Sequence, residues 1–401
     1  MRKNVIIMLG LLIGLALPAL AATSLDCMSC HGSTGAKYPL AGAKLGFEVS
    51  GHATMGDSRY ANGQSCQRCH TSEGYVEYAT KFGFGSPQKY DAWANTADKN
   101  GDLPYIAYPS QPGCFACHDP HTTGNFALRT QKKAGSKIVN EKIALYNGVV
   151  YDGGAGNLCA SCHMSRGDLK TAIPAQKGKV AARGASHHGP EADMVAGTNG
   201  YEFAGKTYTS SPHYQVIGDT CVTCHMEQPK GRFGFSPEVS GHAFTVSGEV
   251  HEAPVGNTAS CVTCHNGIKA VAGQKLYLAD SGTVRAEFKD EAVFTVKAKA
   301  DYDGNGKVEY VQQEVAGLLQ LMVNKDGTGV MQKMANPFFK ADGTFANSKA
   351  QYSNDQLGAY ANYLFVIEDK SLGVHNATYA IELLMDSIAA IDPSYTEANR
   401  P

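Results

Sequence analysis

Every cysteine in this 401-residue chain falls in one repeated pattern, and that pattern constrains the fold more than any other feature. Six times the chain reads Cys-x-x-Cys-His. Motif 1 is Cys27, Cys30 and His31; motif 2 is Cys66, Cys69 and His70; motif 3 is Cys114, Cys117 and His118. Motif 4 is Cys159, Cys162 and His163; motif 5 is Cys221, Cys224 and His225; motif 6 is Cys261, Cys264 and His265. Together they use all 12 cysteines. Two thiols at this spacing reach both vinyl groups of one haem and form thioether bonds, and the histidine that follows sits beneath the iron. Disulfides or paired zinc ligands would account for the cysteines but not for a histidine after every second one. The pattern predicts six covalently attached haem c groups and no disulfide.

The motifs are irregularly spaced, so this is not a simple tandem repeat. Each haem is a large apolar disc that the intervening segments need only wrap. The expected fold is mainly α with extensive irregular loops, a multihaem cytochrome c with a haem-packed core and a helical C-terminal part. Residues 22–290 form the six-haem-binding domain and residues 291–401 the helical C-terminal domain. The 44 glycines fit many tight turns. Two hairpin-like stretches alternate around turns, Tyr201–Tyr208 and, more weakly, Leu145–Gly153. After His265 helical periodicity takes over. Val311, Val315, Leu318, Leu319 and Met322 share one face. Leu357, Tyr360, Ala361, Leu364 and Phe365 share a second. Ala377, Ala380, Ile381, Leu384, Met385 and Ile388 share a third, with Asn376 placed to cap that helix.

Arg2 and Lys3, an apolar stretch from Val5 to Leu17, and Ala19-Leu20-Ala21 read as a secretory signal peptide over residues 1–21. No later apolar run is long enough for an integral membrane span after cleavage. The expected location is the periplasm or the cell surface. A formal net charge of −2 argues against nucleic acid as a partner.

Six irons need six further ligands if each is held between two imidazoles. Eight histidines lie outside the motifs: His52, His121, His187, His188, His213, His242, His251 and His375. Neutral imidazole is the commonest metal ligand. Ser50-Gly51-His52, Ser211-Pro212-His213 and Ser240-Gly241-His242 share a local pattern. Adjacent His187 and His188 point in different directions, so only one of them is expected to reach a given iron. His121 follows His118 by three residues and is better placed for a neighbouring haem than for its own. Which histidine serves which haem is not legible. Methionine ligation is the competing option and would raise the potential. An iron with two imidazoles changes oxidation state but binds no substrate, whereas an open position would allow catalysis.

These residues resemble the multihaem cytochromes of anaerobic respiration, a broad superfamily with cytochrome c nitrite reductase, hydroxylamine oxidoreductase and octahaem tetrathionate reductase. The resemblance rests on the repeated motif, on Met226 directly after His225, and on the helical C-terminus. Gly373-Val374-His375-Asn376 is similar to a run in such proteins where the histidine ligates a haem, which implies His375 as a ligand and leaves His251 in reserve. Cys117-His118-Asp119-Pro120-His121 is similar to runs in extracellular haem-wire cytochromes. Nitrite reductases typically carry a lysine in place of the motif histidine at the catalytic haem, and all six motifs here end in histidine. Hydroxylamine oxidoreductases keep a histidine below an open iron.

Asp301-Tyr-Asp303-Gly-Asn305-Gly306-Lys307-Val308-Glu309 reads as the start of an EF-hand-like loop. Asp301, Asp303, Asn305 and Glu309 offer side-chain oxygens, Lys307 its carbonyl, and Gly306 the sharp turn for one Ca2+. Position 12 is Gln312 in place of the usual glutamate. The leading functional expectation is electron transfer between redox proteins of a respiratory chain. The alternatives are a multihaem oxidoreductase for a small nitrogen or sulfur compound, and a subunit of an extracellular haem filament.

Overall fold

A computed structural model describes residues 31–32, 40–54, 64–104, 106, 109–119, 128–181, 187–230, 237–250, 253–273, 276–279, 284–286, 292–346 and 349–401. Residues 1–21, read above as a signal peptide, and Cys27, Cys30, His121 and His251 lie outside the described residues.

Six of the described helices are α1 (Ala41–Glu48), α2 (Leu169–Ala175), α3 (Glu191–Ala196), α4 (Val311–Met322), α5 (Asn354–Asp369) and α6 (Ala377–Ile391). The last three pack around one apolar core, and all three predicted faces point into it except for Ala377, which is half-exposed in the first turn of α6. Val315, Leu318, Leu319 and Met322 from α4 meet Phe365 from α5 and Leu384, Met385 and Ile388 from α6. Leu169 and Ile173 of α2 and Met194 of α3 join the same core.

The α5 pattern departs from an amphipathic helix in one respect. Every residue from Leu357 to Asp369 is buried, so α5 is wrapped on all sides. Asn362 satisfies its buried polar atoms by accepting from Tyr201 N at 2.7 Å and donating to Tyr201 O at 2.9 Å. Both helix starts are capped. Ser353 and Gln356 form a reciprocal capping box at α5. Asn376 Oδ1 accepts from Tyr379 N at 3.3 Å at α6, as its position in the sequence indicates.

Among the described residues the strands form five antiparallel pairs, none of which joins a larger sheet. The fold is thus mainly helical and irregular, with short strands. Ile143–Ala144 pairs with Val150–Tyr151, which matches the weaker of the two hairpin expectations. The stronger one fails. Tyr201–Tyr208 turns at Gly205 but forms no ladder, because its alternating side chains are claimed elsewhere. Tyr201 packs on Gly358, Phe203 enters the helical core, and the Tyr208 hydroxyl accepts from Phe203 N at 3.0 Å. None of the described helices is long and apolar enough to cross a membrane.

A second core lies among motifs 2 to 4, built on Tyr75, Tyr78, Phe84, Tyr90 and Tyr151. At its edge is Arg68, an inner residue of motif 2, whose side chain is fully buried. Its guanidinium donates to Ser161 O of motif 4 at 2.9 Å and to the Tyr146 hydroxyl at 3.1 Å, and pairs with Asp91 at 3.4 Å. A buried charge is tolerated only with such a full set of partners.

Candidate haem sites

Each described motif is wound into a single helical turn. On a helix, positions i, i+3 and i+4 share one face, so both cysteines and the histidine point the same way. The turn closes on itself: His118 N donates to Cys114 O at 2.9 Å, His163 N to Cys159 O at 2.8 Å, and His265 N to Cys261 O at 2.8 Å. None of the ten described cysteines is fully buried, and Cys114 and Cys264 are exposed. Free thiols usually sink into the core. Here all ten stay at least partly open to solvent.

Five motif histidines each face one histidine brought from elsewhere in the chain. His70 faces His187 with ring centres 6.5 Å apart, and His118 faces His242 at 6.3 Å. His163 faces His52 at 6.0 Å, His225 faces His375 at 6.1 Å, and His265 faces His213 at 6.0 Å. One metal between two imidazoles needs two metal–nitrogen bonds of about 2.0 Å. Adding about 1.1 Å from each nitrogen to its ring centre gives a separation of about 6.2 Å. The pairs therefore fit one iron each.

Hydrogen bonds at Nδ1 leave the other ring nitrogen, Nε2, as the one free to bind a metal. His225 Nδ1 donates to Phe244 O at 2.8 Å, His213 Nδ1 to Val374 O at 3.0 Å, and His187 Nδ1 to His188 O at 3.0 Å. Two others donate to carboxylates: His163 to Glu191 at 3.2 Å and His375 to Asp369 at 2.6 Å. Such partners fix the tautomer and make the ligand more basic. Electrostatics follows the same division. Burial, then the neighbouring His163, pushes His52 down to about 4. Burial also lowers His213, His225 and His242. These rings are neutral at pH 7, the form that binds metal. The Glu191 carboxylate raises His163 to about 9. For His375 burial opposes the charge, and Asp369 more than offsets it, to about 9.

Of the remaining candidates, His188 pairs through Nδ1 with Glu368 at 2.9 Å rather than facing a motif histidine. His31 is described, and its carbonyl accepts from Leu40 N at 3.1 Å. Sequence reasoning missed Glu191, Asp369, Phe244 and the Val374 carbonyl, since no spacing rule ties them to the histidines they hold.

The motifs are bolted directly to one another. Cys162 Sγ lies 3.8 Å from Arg68 O of motif 2, and Cys221 Sγ of motif 5 lies 3.8 Å from Gly156 O, just before motif 4. The Tyr75 hydroxyl and Ser161 Oγ lie 2.7 Å apart. Gly154, at φ +60°, lets motif 5 approach motif 4, because a Cβ there would stand 2.3 Å from Gly218 O.

The acidic loop is wound much as its sequence indicates. Asp301 accepts from Gly304 N and Gly306 N, each at 2.8 Å, and Lys307 N donates to Asn305 Oδ1 at 2.9 Å. Glu309 is tied to Asn305 Nδ2 at 2.8 Å. Gln312 turns inward to accept from Phe294 N at 2.7 Å. Glu314 takes its place: carboxylate oxygens of Asp301, Asp303 and buried Glu314 lie within 4.8 Å of one another. Burial, reinforced by the Glu314 charge, raises Asp303 to about 6. Three hard oxygens suit a calcium ion.

No protein-family model matches the chain. It is 26% identical over 368 residues to the C-type polyheme cytochrome OmcC of Geobacter sulfurreducens, covering 81% of this chain and 42% of that protein. It is 26% identical over 381 residues to the C-type polyheme cytochrome OmcB of the same species, covering 81% and 43%. The chain is similar to multihaem c-type cytochromes. It spans less than half the length of these relatives. Among solved structures it aligns with the Outer Cell Wall Cytochrome OcwA, at 20% identity, a TM-score of 0.42, and 87% and 50% of the two chains. A second alignment is to the undecaheme cytochrome from the S-layer of Carboxydothermus ferrireducens, at 16% identity, a TM-score of 0.37, and 90% and 42% coverage.

Proposed function

We propose that this chain is an exported electron-transfer cytochrome carrying six haem c groups, each iron held between two histidines. The observation that carries the reading is the five facing histidine pairs, each at the spacing of one iron. When bound, each haem supplies a one-electron ferric/ferrous couple. The protein's own part would be to fill both ligand positions of each iron with histidine and to set the potentials through the Nδ1 partners of those rings. With both positions filled, no substrate reaches an iron. The partners are other redox proteins of a respiratory chain, at the periplasmic or outer face of the membrane. A calcium ion on Asp301, Asp303 and Glu314 ties the loop to α4, and chelation should lower the thermal midpoint.

The reading is tested by counting haems per chain and assaying turnover. It requires six haems, full reduction by a strong reductant, and stoichiometric reoxidation by a ferric chelate. Steady turnover of nitrite, hydroxylamine or tetrathionate with a reduced dye would make the protein an oxidoreductase instead.

A further inference from the structure

Phe244 touches the ligand sets of three motifs at once. Its ring meets His52 edge-on, with centres 5.1 Å apart and planes at 89°. The same ring meets His242 at 5.6 Å and 63°. Its carbonyl accepts the Nδ1 proton of His225 at 2.8 Å. His52 faces the histidine of motif 4, His242 faces that of motif 3, and His225 belongs to motif 5.

The backbone that achieves this is unusual. Phe244 has φ +60°, within a short turn where Ser240 and Gly241 also have positive φ. A bulky residue in that region is disfavoured, and persists where its surroundings over-determine it. The turn is closed by Ser240 N donating to Thr245 O at 2.8 Å. Glycine would hold this backbone at no steric cost, yet the position carries a large aromatic ring wedged between two imidazoles.

Motif 4 has neighbours on its other sides as well. Arg68, whose guanidinium reaches Ser161 O and whose carbonyl meets Cys162 Sγ, joins it to motif 2, and Cys221 Sγ against Gly156 O joins it to motif 5. Phe244 supplies the third approach, from motif 3.

We propose that Phe244 is a positioning residue that orients His52 and His242 through its ring and His225 through its carbonyl, so that one side chain sets the ligands of motifs 3, 4 and 5 together. The proposal rests on the two-histidine ligation set out above.

The test uses the full-length haem-loaded protein and reads haem content and low-spin electron paramagnetic resonance signals. The unsubstituted protein is measured first, because a high-spin signal there would count against the two-histidine reading itself, before Phe244 is touched. Phe244→Gly relieves the backbone and keeps the carbonyl while deleting the ring. The proposal expects unchanged haem content and a shift of two low-spin signals, those lost in His52→Ala and His242→Ala, with the His225 signal unmoved. Phe244→Tyr should restore both. If the glycine variant loses haem, Phe244→Leu, which keeps bulk without the aromatic edge contact, must shift the same two signals. Unchanged signals at full haem content, or an equal change at every haem that tyrosine does not restore, would overturn the proposal.

Discussion

Asp369 accepts the Nδ1 proton of His375 at 2.6 Å, linking the last turn of α5 to the residue just before the cap of α6. A carboxylate there pulls the ring toward imidazolate character and favours the ferric state. His213, whose Nδ1 donates to the Val374 carbonyl, has only a neutral partner. Charge-assisted bonds are roughly twice as strong as neutral ones. Asp369→Asn should therefore raise the potential of the motif 5 haem by about 1 kcal/mol, or about 40 mV for one electron. Potentiometric titration of the variant against the parent checks this, and the other potentials should stay in place.

Gly373 controls two ligands together. It has φ +87°, and a Cβ there would stand 2.9 Å from Val315 Cγ2 on α4. Val374 and His375 follow directly. Gly373→Ala should cost about 1–3 kcal/mol through strain and overpacking. It should also disturb the low-spin signals of the haems at His375 and His213 before any others. Thermal unfolding and resonance spectra of one preparation report both effects.

The C-terminal segment is clamped by Arg400, which donates to both oxygens of Asp386 on α6, Nε at 2.9 Å and Nη2 at 3.0 Å. Burial opposes the charge on Asp386, but these bonds outweigh it and hold the carboxyl below its ordinary value of 3.8. A depressed carboxyl contributes stability that is present above the unfolded pKa and lost as pH falls through the folded one. Arg400→Leu should cost about 2 kcal/mol at pH 7. The difference from the parent should shrink as pH drops below about 4. Denaturant midpoints across that range measure the convergence.

The motifs and the pool of candidate ligands were legible because each depends on local spacing. The pairing of His163 with His52, or of His265 with His213, was not, because it is made by long-range packing that leaves no periodic trace. The choice between His187 and His188 turned on backbone conformation: His187 has φ +68° and donates to the carbonyl of His188, while His188 is drawn to Glu368. The acidic loop was found, but its closing carboxylate, Glu314, lies two residues beyond the expected position, where only the winding of α4 brings it back. Tyr201–Tyr208 had a strand's alternation without a strand partner, since helices α5 and α6 take its side chains. Phe244 carries no sequence signal at all.

The central claim is that every iron is closed on both sides by histidine. The most direct test is the electron paramagnetic resonance spectrum of the fully oxidised, haem-loaded protein, quantified against its haem content. The account predicts low-spin signals that integrate to all the haem present. A high-spin signal amounting to one haem per chain would contradict it, and would mean that one iron is open to a substrate.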